Sequence, residues 1–285
     1  MRLKSGFLPY FAILALTLGL PGGALAQSKS STALMSVPAT PSAFSLETDV
    51  DYYSNLYKSG VFERQEELDY TFVPAYEFNS TWSMNALVIV TQDTLNTQDS
   101  VLSNTPVSLV MNEFTKETRT SLFQLKGKLS GILPTDQNAR VNQTFNGGFG
   151  IGEILVWDHP MSRLPTKFLL KQYFTRNLHS YDVASDGSFN VEYLSATKMS
   201  FTLYLTQKFS VILKAEEDVG FAYHGEQASA FLTDAILSYD FNKIFSMNVG
   251  LANHGDMLVA NGKDSNFSYF NDQSSQAHIG IGVNL

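Results

Sequence analysis

The 285-residue chain carries 19 basic and 27 acidic residues, a formal charge of −8, and no cysteine. That balance argues against nucleic acid as a partner, because binding there is driven by phosphate neutralisation. The missing thiols exclude a disulfide scaffold and a thiolate nucleophile, and they leave a structural zinc site with few ligands to use.

The first 26 residues read as a cleaved export signal. Arg2 and Lys4 form a positive start, Phe7 to Leu20 an apolar run, and Ala24-Leu25-Ala26 a small-x-small cleavage site before Gln27. The apolar run falls short of the ~20 residues a spanning helix needs. Cleavage removes two basic residues and no acidic one, leaving 17 basic against 27 acidic residues, a net −10. Residues 27–41 are rich in Ser, Thr, Ala and Pro, the composition of a periplasmic linker with little to bury. From residue 42 to 285 the chain reads as one β-domain. No segment there approaches 18 consecutive apolar residues, so a membrane-spanning form has to be a closed barrel.

Period-two alternation begins at Phe44. Phe44, Leu46, Val50 and Tyr52 share one face, with Glu47, Asp49 and Asp51 on the other. Leu68, Tyr70, Phe72, Tyr76 and Phe78 follow, opposed by Asp69, Thr71 and Glu77, and a tight Asn79-Ser80 turn leads to Trp82, Met84, Ala86, Val88 and Val90. The pattern continues in Phe123–Leu129, Met199–Leu205, Ala235–Phe241 and Phe245–Leu251, and weaker strands are placed at Val107–Phe114 and Phe145–Val156. Segments of nine or more alternating residues are what a tilted membrane-spanning strand requires. No helical periodicity longer than a turn is present.

Connection lengths alternate too. Short ones fall near 79–81, 115–119, 206–208 and 242–244, with a somewhat longer one at 158–166. Longer polar ones fall near 58–67, 93–105, 134–144, 178–189, 219–230 and 253–274. Five short and six long connections join twelve strands, all-β and antiparallel, with both termini on the short-turn side.

A soluble barrel or sandwich alternates in the same way with its apolar side inward. Three features favour the apolar side outward. A closed barrel of about twelve strands is too wide for side chains to fill, so a polar face suits a wet lumen. Phe78, Trp82, Trp157, Phe209, Tyr239, Phe241 and Phe245 gather beside the short turns, where an aromatic girdle would meet the membrane–water interface. The last strand places Ala277, Ile279, Ile281, Val283 and Leu285 on one face, with His278, Gly280, Gly282 and Asn284 on the other.

That ending resembles the C-terminal strand signal of bacterial outer-membrane β-barrel proteins. The resemblance covers the export signal, the strand pattern of 42–285 and the terminal strand. It departs in its last residue, since the family usually ends in Phe or Trp and this chain in Leu285. It implies a Gram-negative outer-membrane address, membrane lipid and the barrel-assembly machinery as partners, Ile279, Ile281, Val283 and Leu285 as the assembly signal, short turns in the periplasm and long loops outside.

With the apolar faces outward, the charged faces line the lumen. Glu47, Asp49, Asp51, Asp69, Glu77, Asp234 and Asp240 come from the first and last strands, and Lys126, Lys128, Lys167, Lys171 and Lys198 from the middle. Lys214 and Glu216 share the ninth strand. In a closed twelve-strand barrel the first strand lies opposite the sixth and seventh, so acidic and basic arcs face each other. Porins of this superfamily are similar in having such a constriction. Opposed arcs set a transverse field that favours hydrated solutes over apolar ones.

The resulting expectation is a porin-like channel for small hydrophilic solutes or ions, without cofactor, metal or covalent chemistry. Glu47, Asp49, Asp51, Lys126, Lys128, Lys171, Lys198, Lys214, Glu216 and Asp234 are the expected charge-selectivity residues. A structural or adhesive barrel with functional surface loops is the alternative. A membrane-embedded hydrolase would need a serine bonded to one of His159, His179, His224, His254 or His278, and the sequence presents no such pattern. Gly147-Gly148-Phe149-Gly150-Ile151-Gly152 lacks the helix and lysine of a phosphate loop and fits a bent barrel strand.

Overall fold

The computed structural model describes residues 43–56, 65–95, 99–160, 164–257, 270 and 274–285. The expected export signal and linker lie outside the described residues. Fourteen strand segments form one antiparallel sheet: β1 (Phe44–Asn55), β2 (Glu66–Glu77), β3 (Trp82–Ala86), β4 (Val88–Asp93), β5 (Ser100–Leu102), β6 (Thr105–Glu117), β7 (Leu122–Leu133), β8 (Phe145–His159), β9 (Thr166–His179), β10 (Val191–Tyr204), β11 (Phe209–Ala222), β12 (Gln227–Asp240), β13 (Phe245–Asp256) and β14 (Ser275–Asn284). β3 and β4 both pair with β2 and are parted only at Leu87, whose amide donates to Pro106 instead. β5 pairs with β4 and β6 with β3, so each of these couples makes one stave. The barrel therefore has twelve staves, as the alternation predicts.

Closure is made by β1 against β14, with Glu47 opposite Asn284 and Asn55 opposite Gln276. Leu46 and Leu285 exchange both backbone hydrogen bonds, at 3.0 and 2.9 Å, which extends the seam to the last residue. No sheet edge is left open there to recruit another strand.

Four short turns share one construction. The Asn79 side-chain oxygen accepts from the amides of Thr81 and Trp82 at 2.8 and 2.9 Å. Thr118 does the same for Thr120 and Ser121, Thr206 for Lys208 and Phe209, and Asn242 for Ile244 and Phe245. Asn and Thr suit this position because their short polar side chains cap amides that the tight reversal leaves unpaired. In three of the turns the last amide belongs to an aromatic residue, Trp82, Phe209 or Phe245, so the turn itself sets where that ring begins its strand.

Three expectations need correction. The connection expected at 219–230 is a tight turn of residues 223–226, closed by Gly225 at φ 84° and by the Ala222 amide donating to Glu226. The polarity of that stretch belongs to long strand ends rather than to a loop. Three residues of the 93–105 connection form strand β5. The 134–144 connection contains a short helix, α1 (Gln137–Val141), whose N-terminal amides on Asn138 and Ala139 are capped by Asp136. A one-turn helix leaves no periodicity to read. The two weakly patterned strands both form, as β6 and β8, each with a bulge. In β8 the bulge falls at Gly147, whose φ of 136° suits glycine and few other residues.

A candidate pore lumen

The register divides the wall into two faces. Outward lie Leu129, Ile151, Trp157, Met199, Leu213 and Ile281, each well exposed although large and apolar. Their sequence neighbours point inward. A closed sheet with an apolar outer wall and a charged inner wall is the architecture of a membrane-spanning barrel.

The inner wall at the seam is built on glycine. The Asp51 carboxylate lies over Gly280, that of Asp49 over Gly282, and the His278 ring over Gly250, in space that any Cβ would fill. His278 bonds Asp234 through Nε2 at 2.9 Å and stacks on Tyr53 with ring centroids 5.0 Å apart. Lys214 approaches the other Asp234 oxygen at 3.3 Å. One carboxylate thus gathers a cation from the adjacent stave β11 and an imidazole that reaches it from β14 across Gly250 of β13.

Lysines dominate the other side. Lys126 and Lys128 sit on β7, Lys167 and Lys171 on β9, and Lys198 on β10, directly opposite Lys171 in the register. In the closed order of twelve staves β9 stands six from β1, which puts Lys167 and Lys171 across the lumen from the strand of Glu47. Lys198 does not face the acids freely: it is held by Glu216 on the next stave at 2.5 Å. Arg176, held by Glu192 at 2.9 Å, lies instead on the outward parity of Phe149 and Phe174. Lys128 stands over the Tyr173 ring, 4.6 Å from its centroid, and that ring covers Gly152. Glu47, Asp49, Asp51, Lys126, Lys128, Lys167 and Lys171 have no ion pair among the described residues, whereas Lys198, Lys214, Glu216 and Asp234 are paired with one another along the wall.

The lumen is not wet everywhere, contrary to expectation. Val110, Lys126 and Ile154 are sealed from solvent, and Val156 nearly so, although all four point inward. The Lys126 ammonium has no hydrogen-bond partner among the described residues. Apolar side chains from β6 and β8 thus join the lysines on this part of the inner wall, which charge alternation on single strands does not reveal.

At the long-loop rim a cavity of about 320 Å³ lies among Gln143, Phe145, Asn177, His179, Phe189 and Asn190. Its walls are fixed by the connections themselves: Asn190 donates to the carbonyls of Gln143 and Tyr181, and the Tyr223 hydroxyl donates to that of Asn177. His179 meets the Gln143 carbonyl through Nδ1 at 2.8 Å. His224 lies near Asp182 and against Phe189. These contacts, with those of His278, provide hydrogen bonding and packing. No group of three metal-ligating side chains occurs among the described residues.

The expected girdle residues lie beside the short turns. Phe78, Trp82, Trp157, Tyr239, Phe241 and Phe245 are exposed, Phe209 is half-buried, and Tyr239 meets Phe241 edge to face. Ile279, Ile281 and Leu285 are exposed on the outer face of β14, and Val283 is half-buried. Sequence reasoning missed the shared turn construction, although its signal is present in Phe78-Asn79-Ser80-Thr81-Trp82, Leu205-Thr206-Gln207-Lys208-Phe209 and Phe241-Asn242-Lys243-Ile244-Phe245.

This is the fold of bacterial outer-membrane channels. The chain is similar to the NanC porin, with a TM-score of 0.53, 12% identity, and coverage of 84% of this chain and 100% of that one. It is similar also to an outer-membrane channel from Pseudomonas putida F1, at TM-score 0.54, 10% identity, and coverage of 87% and 97%. No protein-family model matches the chain, and no curated protein matches it.

Proposed function

We propose that this protein is an outer-membrane channel for small hydrophilic solutes or ions, with its short turns in the periplasm and its long connections outside. The observation that carries this reading is the strand order of a closed barrel, which sets β1, with Glu47, Asp49 and Asp51, across the lumen from β9, with Lys167 and Lys171. Such a field holds hydrated, charged solutes better than apolar ones. Lys126, Lys128 and Lys171 supply the basic side. The Lys198–Glu216 and Lys214–Asp234 pairs are nearly neutral and serve to keep the wall in shape. The exposed rings beside the short turns form the interfacial girdle, and Ile279, Ile281, Val283 and Leu285 the strand recognised during assembly. The protein performs no covalent chemistry in this reading.

Liposomes carrying the folded protein should swell in isosmotic small sugars and amino acids and resist larger oligosaccharides. Lys171→Glu should shift the zero-current potential in a salt gradient toward cation preference, with the barrel still folded. An unchanged potential would remove Lys171 from the pathway.

A second reading has one observation in its favour. The sealing of Val110, Lys126 and Ile154 fits a barrel whose lumen is filled and whose surface connections carry the function. Liposomes that fail to swell although the inserted protein is folded would favour it.

A further inference from the structure

The cavity at the long-loop rim belongs to the inner wall. Asn177 and His179 continue the inward parity of Lys171 and Tyr173 on β9, and Phe145 of β8 stands opposite His179 in the register. The cavity therefore lies at the mouth of the lumen, beyond the lysines. Its chemistry differs from theirs. Among the described residues its walls hold no carboxylate, ammonium or guanidinium, and side-chain amides from Asn104, Asn177 and Asn190 take their place.

These amides are held by the frame but not used up by it. Asn190 is 4% exposed, and both its amide hydrogens go to the carbonyls of Gln143 and Tyr181, at 2.8 and 2.9 Å. Its side-chain oxygen is left on the cavity wall without a partner among the described residues, although a buried acceptor ordinarily has one. Asn104 is the converse: its oxygen accepts from the Asp136 amide at 3.2 Å, so its two N–H groups remain. Asn177 gives one hydrogen to the Val191 carbonyl at 3.1 Å and keeps the other. One cavity thus offers both donors and acceptors, all uncharged.

A matching ligand has to donate and accept, which a hydroxyl does. It also has to be neutral, because an ionised group would leave water for a wall without a counter-charge. Phe145 and Phe189 supply apolar surface for a carbon skeleton. The volume of about 320 Å³ lies at the small end of ligand cavities, which run from about 300 to 1,000 Å³. Room for one ring is available, and not for a chain of them. The walls are also set in advance. Phe189 bridges to Val183, and the amides of Ser180 and Ser185 donate to the carbonyls of Thr144 and Asn142 at 3.0 and 2.8 Å. Little ordering is then left to oppose binding.

We propose that this cavity binds a single uncharged sugar ring at the mouth of the barrel. The inference deepens the channel reading and rests on it for the route onward, whereas binding itself needs no open lumen.

Calorimetric titration of the folded full chain, in a detergent without sugar headgroups, tests it with D-glucose, D-galactose and D-mannose. At least one should bind saturably. Gluconate and glucosamine, which bring a carboxylate or an ammonium to the same skeleton, should bind at least about tenfold more weakly than that sugar. Phe189→Ala and Asn177→Ala should each weaken binding about threefold or more, with folding checked by heat-dependent electrophoretic mobility. Leu178→Ala, on the same strand but facing outward, should bind as the unaltered protein does. The proposal is overturned if none of the three sugars binds, if a charged analogue or maltotriose binds more tightly than all of them, or if both folded cavity variants bind normally. A protein that binds sugar but leaves a bilayer sealed would remove the channel and keep the subsite. One that conducts but binds no sugar would do the reverse.

Discussion

Asp234 illustrates how individual lumen residues act. Its side chain is almost wholly buried, and its two oxygens serve His278 and Lys214 separately. Asp234→Ala leaves a buried imidazole and a half-buried ammonium without their acceptor, so it should destabilise the barrel by about 1–3 kcal/mol. A lower urea midpoint for unfolding from lipid or detergent checks this, and an unchanged midpoint would show that water replaces the carboxylate. Outside the membrane, the Ser188 hydroxyl and amide both donate to Asp186 and hold its carboxyl below the usual range. A depressed folded value means the turn gains from ionisation above the unfolded value and loses that gain as pH falls through the folded one. The Ser188 amide resonance should therefore titrate with a midpoint below the ordinary aspartate value of about 3.9. A midpoint at or above it would contradict the bonding described.

At the scale of elements, the four capped turns set the register of the hairpins they close. Asn242→Ala removes both acceptor contacts to Ile244 and Phe245 and should lower stability by about 0.5–1.5 kcal/mol, with slower refolding into lipid vesicles. Lys243→Ala, on the same turn, makes a suitable control. Staves with strict alternation, such as Phe245–Leu251, were legible because each side chain reports its own face. Less was legible where the sheet departs from that rule. The break at Leu87 depends on Pro106 from another strand, and the β6 bulge puts Glu113 out of step. The hairpin at 223–226 was hidden because strand ends beyond the membrane carry the polar residues of a loop. Charge alternation was enough to assign the acids and lysines to the inner parity of their strands. It could not show that Lys198 and Lys214 are neutralised by neighbouring staves, since pairing depends on register rather than composition.

For the whole molecule, two properties of the wall combine. Inward charges are arranged across a diameter, and outward polarity is concentrated on one side. The first concerns what passes along the axis, the second what the outer wall meets. Neither follows from twelve alternating strands alone, because alternation fixes which face a residue occupies and says nothing about its angular position until the register is known. Val110 and Ile154 are sealed from solvent although they stand on the inner parity, so part of the inner wall is covered.

The central claim is that a water-filled path follows this lumen. Single-channel recording of the folded protein in a planar lipid bilayer tests it most directly. The account predicts discrete conductance steps whose ion preference shifts toward cations in Lys171→Glu. A bilayer that stays electrically sealed while holding correctly folded protein would contradict it.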